Sequence, residues 1–103
     1  AGLNDLVEIN IPITNQLHSA TRYFMEPLEL FHALEKIDAG NLSLLGIYHS
    51  HPKGPSHPSE TDIKDFLYPG VASIICYYEA NKWKINGFLI ENGYFQEIEL
   101  KIV

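Results

Sequence analysis

The chain has 103 residues, 46% of them hydrophobic and 19% charged, and a formal net charge of −6. This size and composition predict that residues 1–103 form a single globular domain with its own core. The negative charge argues against binding nucleic acid by neutralising its phosphates. No segment approaches the roughly 20 apolar residues of a membrane span, and residues 1–10 lack a signal-peptide pattern. The single cysteine, Cys76, cannot form an internal disulfide, which fits a cytoplasmic protein.

The first half of the chain predicts two strands and a helix. Loosely alternating apolar residues predict a strand over residues 3–13, and residues 21–25 predict a short second strand. A helix is expected to begin at Pro27, because proline is favoured in the first helical turn. It is expected to end at Gly40, because glycine is favoured at helix C-termini. Apolar residues at helical spacing predict its buried stripe, and they are Leu30, Phe31, Leu34 and Ile37.

The second half predicts a strand, a helix and three further strands. In that order, the predicted ranges are 42–48, 60–67, 71–78, 83–90 and 94–102. Cys76, inside the longest apolar run, is interpreted as a small core residue. The last two strands are expected to form a hairpin around Asn92-Gly93, since the competing Asn86-Gly87 turn would leave its strands too short. This order predicts an α/β fold with a mixed β-sheet and helices packed on it.

Two histidines and an aspartate flank the loop after strand 42–48. His49 and His51 are two residues apart, so on an extended chain they share one face, with Cα atoms about 6.6 Å apart. Ser59 and Asp62 are three residues apart, so they are neighbours on the first turn of the next helix. The strand end and the helix start can therefore bring two imidazoles and a carboxylate to one point. Catalytic Zn²⁺ uses such a set, with its fourth position left to water.

These residues also fit other kinds of site. Ser59 and Asp62 alone fit a helix N-cap followed by an acidic residue, and the histidines alone fit a strand-end pair without a metal. Burying two imidazoles is costly unless something accepts their lone pairs, which favours a metal. Non-haem iron oxygenases also use two histidines and a carboxylate, but they usually place the carboxylate soon after the first histidine. Zinc deaminases need a P-C-x-x-C segment, which a single cysteine excludes.

The pattern His49-Ser50-His51, seven residues of which the first is proline, then Ser59-x-x-Asp62 resembles the JAMM motif of MPN-type zinc metallopeptidases. Further similarity to the prokaryotic branch lies at Asn15, 21–23, Pro27 and 44–48. The resemblance implies a cytidine-deaminase-like fold. It also implies hydrolysis of the bond after the C-terminus of a ubiquitin-like or small sulfur-carrier protein.

The resemblance further implies a role for each residue of the pattern. His49, His51 and Asp62 correspond to the family's zinc ligands. Ser59 corresponds to the hydroxyl that supports the oxyanion of the tetrahedral intermediate, a contribution typically worth about 2.7–4 kcal/mol. We therefore expect Ser59 to be a catalytic residue next to a Zn²⁺ centre.

One family residue has no counterpart in these 103 positions. The general-base glutamate of the family lies upstream of the histidines, in a segment that ends in a small residue and glycine, which Ala1-Gly2 resembles. Glu8 and Glu26 do not match its position. The expectation is therefore that the chain lacks the N-terminal helix and the family glutamate. The alternative function is a non-catalytic MPN-type module that binds a ubiquitin-like partner.

Overall fold

The computed structural model describes residues 1–15, 24–51 and 56–101. The chain divides into two compact units, Ala1–Leu45 and Gly46–Val103, here called the N-terminal and C-terminal units. The predicted strand at 21–25 lies largely outside the described residues. Within the described ranges, no helix is long and apolar enough to cross a membrane.

The N-terminal unit begins with a two-stranded antiparallel hairpin, β1 (Gly2–Leu3) and β2 (Leu6–Val7). The predicted single strand over residues 3–13 is therefore wrong. Asn4 and Asp5 both adopt left-handed backbone angles, with φ of 50° and 64°. Asparagine and aspartate tolerate this conformation and form two-residue hairpin turns. Apolar residues continue on both sides of this turn, so the alternation pattern alone does not reveal that the strand is interrupted.

A single helix, α1 (Pro27–Ala39), follows in this unit. The Glu26 side chain caps its start by accepting a 2.7 Å hydrogen bond from the Glu29 N–H, and the Gly40 N–H closes its end on the Lys36 carbonyl. The predicted bounds are confirmed, but the predicted stripe is only partly right. Of the four predicted stripe residues only Ile37 is buried, while Phe31 and Leu34 are exposed. The other buried residue of the helix is Ala33, which was not predicted.

The C-terminal unit is a four-stranded sheet with one helix, α2, in the connection between its first two strands. The sheet order follows the chain, β3-β4-β5-β6, with β3 parallel to β4 and the other neighbours antiparallel. The elements are β3 (Gly46–His51), α2 (Glu60–Asp65), β4 (Ala72–Glu79), β5 (Lys82–Glu91) and β6 (Tyr94–Ile98). The predicted α/β class with a mixed sheet is confirmed. Strand β3 begins later than predicted and includes both histidines, and α2 is shorter than predicted.

Both hairpin turns of this sheet use residues in the left-handed region. Ala80 and Asn81 connect β4 to β5, and Asn92 and Gly93 connect β5 to β6, all with φ between 51° and 79°. Left-handed turns match the twist of the flanking strands. The turn predicted at Asn92-Gly93 is confirmed, and the competing Asn86-Gly87 pair lies inside β5.

The register of the sheet determines which side chains share the face of the two histidines. His49 aligns with Ile75 on β4, which in turn aligns with Asn86 on β5. Because residues paired across neighbouring strands point to the same side of a sheet, these three side chains share one face. Ile75 is fully buried, and Phe88 on the same face is nearly so. We call this the buried face. Cys76 lies on the opposite face and is only half-buried, so it is not the core residue that the sequence predicted. Its partial burial raises the pKa of the thiol, which stays protonated at neutral pH.

Candidate metal centre

The two histidines lie at the C-terminal end of β3. His49 and His51 are on the buried face, and their Nε2 atoms lie 3.0 Å apart. The rings meet edge to face, with centroids 4.8 Å apart and an interplanar angle of 67°. The parallel pairing of β3 with β4 fixes the backbone at both positions, because His49 aligns with Ile75 and His51 with Tyr77. The predicted convergence of the two imidazoles is thus present.

The aspartate is presented by the first turn of α2. Ser59 is the N-cap, with an extended backbone at φ −76° and ψ 168°. Its hydroxyl oxygen accepts a 3.1 Å hydrogen bond from the Asp62 N–H, and the Ser59 N–H donates to Asp62 Oδ2 at 2.8 Å. These reciprocal bonds form a capping box, which satisfies donors at the helix start. The same two bonds orient the Asp62 carboxylate.

Strand and helix bring these side chains into one group. His49 Nε2 lies 3.2 Å from Asp62 Oδ1, and His51 Nε2 lies 3.1 Å from Asp62 Oδ2. The side chains are only 14%, 7% and 6% exposed for His49, His51 and Asp62. Among the described residues this is the group whose donor atoms could hold a metal ion. Both ligand pairings predicted from the sequence spacing are therefore found together.

The distances between the donor atoms suit a metal ion at their centre. Two Nε2 atoms at 3.0 Å that both face a carboxylate cannot both carry a proton without placing two N–H groups against each other. A cation removes this conflict, because both neutral imidazoles then direct lone pairs at it. Ligands of tetrahedral zinc, bound at about 2.0–2.1 Å, lie roughly 3.3–3.4 Å from one another. The observed separations of 3.0–3.2 Å are close to that value.

The electrostatics of the group keep its carboxylate charged. Burial alone would raise the pKa of Asp62, but the hydrogen bond with His49, the hydrogen bond from the Ser59 backbone and the electrostatic interaction with His49 outweigh it. The pKa of Asp62 is lowered to about 2. A buried carboxylate that is ionised at neutral pH needs a compensating cation or donors. The group therefore provides one negative charge and two imidazoles, as a divalent metal site requires.

Ser59 lies beside this group, as predicted, but its hydroxyl oxygen already takes part in the capping box. A hydroxyl accepts and donates at the same time. Accepting from the Asp62 N–H therefore leaves its own hydrogen for a second partner. The geometry is compatible with the predicted oxyanion role without testing it.

Sequence reasoning missed one residue near the group. Asn86 was interpreted only as a competing turn residue, yet it lies in the middle of β5 and its side-chain amide donates to the Ser56 carbonyl at 3.0 Å. Asparagine is unfavourable in strand interiors. An asparagine inside a run of strand-forming residues was therefore the signal that a specific contact holds it there.

Comparisons with known proteins fit this geometry. The family model described as prokaryotic homologs of the JAB domain matches residues 3–86. A Thermus thermophilus protein named probable TtuB-protein conjugate cleaving protease is 52% identical over 98 residues, covering 94% of this chain and 62% of that protein. The CysO-cysteine peptidase of Mycobacterium tuberculosis is 29% identical over 104 residues, covering 97% of this chain and 69% of that protein. A desampylase from Pyrococcus furiosus is 40% identical over 52 residues, half of this chain and 37% of that protein.

A solved structure shares the fold. The solution structure of a protein from Desulfitobacterium hafniense matches with a TM-score of 0.73 and 29% identity, covering 85% of this chain and 61% of that one. The chain thus spans a little over three fifths of both the Thermus relative and this structural neighbour.

Proposed function

The chain belongs to the family of prokaryotic homologues of the JAB domain, and on that premise we propose that it is a zinc-dependent peptidase or isopeptidase. The bond hydrolysed would be the one after the C-terminus of a ubiquitin-like or small sulfur-carrier protein. The observation that carries the proposal is the group of His49, His51 and Asp62, whose donor atoms lie at the separations a single metal ion needs.

The names of the relatives support this substrate class. The Thermus protein is named for cleaving TtuB-protein conjugates, and the mycobacterial protein is named a peptidase of CysO-cysteine. Both names describe cleavage of a molecule joined to a named carrier, a TtuB-protein conjugate in one case and CysO-cysteine in the other. A related reaction in this chain would need the same machinery, which is a hydrolytic centre that accepts a protein C-terminus. We also propose a cytoplasmic location, which suits a chain whose single cysteine is a free thiol.

Each residue of the group has a defined task in this proposal. His49, His51 and Asp62 would hold zinc, which supplies a Lewis acid and a bound water with a pKa near 7. Ser59 would donate its hydroxyl hydrogen to the developing oxyanion. Its oxygen is held by the Asp62 N–H, so the hydroxyl is oriented before substrate binds.

Proton transfer needs a further residue. Within the described ranges, the metal group contains one carboxylate, Asp62, and in this proposal it is a ligand. In the family resemblance the general base is a glutamate, and the proposed hydrolysis needs a residue in that role to transfer the proton. General acid–base help is typically worth about 10²–10⁴ in rate. The same observation favours the second candidate, a non-catalytic module that binds a ubiquitin-like partner.

One experiment separates the two candidates. The protein, expressed from the start codon of its gene, is incubated with a ubiquitin-like or sulfur-carrier protein fused through its C-terminus to a reporter. The hydrolase proposal expects cleavage that stops with a chelator and returns with Zn²⁺, together with about one zinc per chain by elemental analysis. Binding of the carrier without chelator-sensitive cleavage would support the module instead.

A further inference from the structure

The segment that leads into α2 is held against the β5–β6 hairpin by two side chains. Asn86 on β5 contacts Ser56, and Phe95 on β6 contacts His57. We call Asn86 and Phe95 the loop clamp. The residues they hold directly precede Pro58, which is buried, and Ser59, the N-cap of α2. The clamp therefore acts immediately before the helix that presents Asp62.

The first contact of the clamp is a hydrogen bond between distant parts of the chain. The Asn86 amide donates to the Ser56 carbonyl at 3.0 Å, across 30 residues of sequence. Asn86 aligns with the fully buried Ile75, so its side chain is on the buried face with the histidines. Asn86 itself is half-buried, and a polar side chain that is partly withdrawn from water is stabilised by a hydrogen-bond partner. Ser56 is that partner, which accounts for an asparagine in a strand interior.

The second contact is a stacked pair of rings. His57 and Phe95 lie parallel, with an interplanar angle of 1° and centroids 5.9 Å apart. Phe95 is in turn anchored by an edge-to-face contact with the buried Phe88, whose centroid is 5.5 Å away. His57 Nδ1 donates to the Pro58 carbonyl at 3.0 Å, which fixes the imidazole relative to its own backbone. Two successive residues, Ser56 and His57, are thus attached to the hairpin.

Helix α2 needs such attachment because it is short. Its six residues make less than two turns, and helices of that length have little stability of their own. The capping box orients Asp62 relative to Ser59, but it does not determine where Ser59 lies relative to β3. Pro58, directly before Ser59, is buried, and the two residues before it are held by the contacts of the clamp.

We infer that Asn86 and Phe95 are positioning residues for the metal centre, because they hold Ser56 and His57 and thereby set the distance from Asp62 to the two histidines. This inference rests on the proposed metal site and extends it to residues that do not touch the ion. Supporting residues outside the ligand sphere typically change metal affinity about 10–100-fold when they are altered. Four residues separate His57 from Asp62, so the effect of the clamp should lie near the lower end of that range.

The test measures metal affinity in paired variants of the protein. Asn86→Asp replaces the donor by an acceptor of the same shape, and Asn86→Val removes it without adding charge. The matched controls, Gln96→Glu and Gln96→Val, make similar changes at an exposed position on β6. Zn²⁺ affinity is measured by competition with a chelating dye. The absorption spectrum of bound Co²⁺ reports the geometry of the ligands.

The expected result is a loss of about 10-fold in Zn²⁺ affinity for both Asn86 variants, with a changed Co²⁺ spectrum, while both Gln96 variants resemble the wild type. A purely structural role would lower stability and leave the Co²⁺ spectrum of the folded protein unchanged. Phe95→Leu removes the ring stack at a position that is 43% exposed, so this variant should fold. It is expected to weaken Zn²⁺ binding in the same direction by a smaller factor.

The outcomes separate this inference from the proposed function. If the wild type binds Zn²⁺ and the folded clamp variants bind it equally well with an unchanged Co²⁺ spectrum, the positioning role is refuted and the metal site stands. If the wild type binds neither ion, both are refuted. Should the Asn86 variants fail to fold, Phe95→Leu decides in the same way.

Discussion

The ligands of the candidate centre are held by two different kinds of structure. His49 and His51 lie on β3, whose backbone pairs with β4 over all six residues of the strand. Asp62 lies on a six-residue helix that is oriented by two side-chain hydrogen bonds at its N-cap. The strand ligands are therefore fixed by many equivalent backbone bonds, whereas the helix ligand depends on a few specific ones. Changes near α2 should alter the centre more easily than changes in the sheet.

The largest loss of metal binding is expected from removing a ligand on either β3 or α2. His51→Ala removes a strand ligand, and Asp62→Asn removes the helix ligand's charge while keeping an oxygen that can accept from the Ser59 N–H. Both are expected to lose stoichiometric zinc and chelator-sensitive cleavage, because a catalytic zinc needs its three protein ligands. Elemental analysis and the carrier-fusion assay measure the two losses.

The matched control for these variants is a histidine outside the group. His32 on α1 is 65% exposed and lies beside Glu35, so His32→Ala should keep zinc and activity. Full zinc occupancy in either His51→Ala or Asp62→Asn would refute the ligand assignment.

The next effect concerns Ser59, which combines a helix cap with the proposed oxyanion role. Ser59→Gly should lower kcat about 10²–10³-fold through loss of the hydroxyl, while costing only a few tenths of a kcal/mol of capping energy. Ser59→Thr keeps a hydroxyl at the same place and should retain much of the activity. Steady-state kinetics and urea unfolding of both variants separate catalysis from capping, and their zinc content shows whether Asp62 still binds the metal without the Ser59 hydroxyl. Equal kcat in Ser59→Gly and the wild type would assign the serine to capping alone.

Removing the metal should lower the stability of the folded protein, because the proposed ion would connect the histidines on β3 to Asp62 on α2. A metal that binds only the folded protein stabilises it by about 4 kcal/mol when free metal is 1,000-fold above its dissociation constant. Adding a chelator should therefore lower the unfolding midpoint of the wild type, and it should leave His51→Ala unchanged. Thermal unfolding with and without chelator measures this. A wild-type midpoint that is insensitive to chelator would show that zinc does not connect β3 to α2.

The contrast between strand and helix also explains what the sequence could predict. His49 and His51 could be identified because two residues of spacing on a strand define one face, and Ser59 and Asp62 because three residues define one helical turn. Both rules are local. The hairpin turn at Asn92-Gly93 could be predicted for the same reason.

Other features depend on contacts that no local pattern contains. The partner of Asn86 lies 30 residues away in sequence, so its role could not be derived from its neighbours. The break at Asn4-Asp5 is decided by left-handed backbone angles that the apolar alternation conceals. On α1, periodicity predicted a buried stripe, but it did not determine which residues of that stripe are covered, and Phe31 remains 57% exposed.

The smallest expected effect tests the strand side of the comparison. Ile75→Val removes one methylene group from the fully buried residue that aligns with His49. It should cost about 0.5–1.5 kcal/mol of unfolding free energy. Zn²⁺ affinity should nevertheless stay unchanged, because backbone pairing and not this side chain fixes the histidines. Urea unfolding and dye competition measure the two quantities in the same preparation. If Ile75→Val weakened Zn²⁺ binding as much as the Asn86 variants, side-chain packing on β4 beside His49 would set the ligand geometry. The strand would then support its ligands no more rigidly than the helix does.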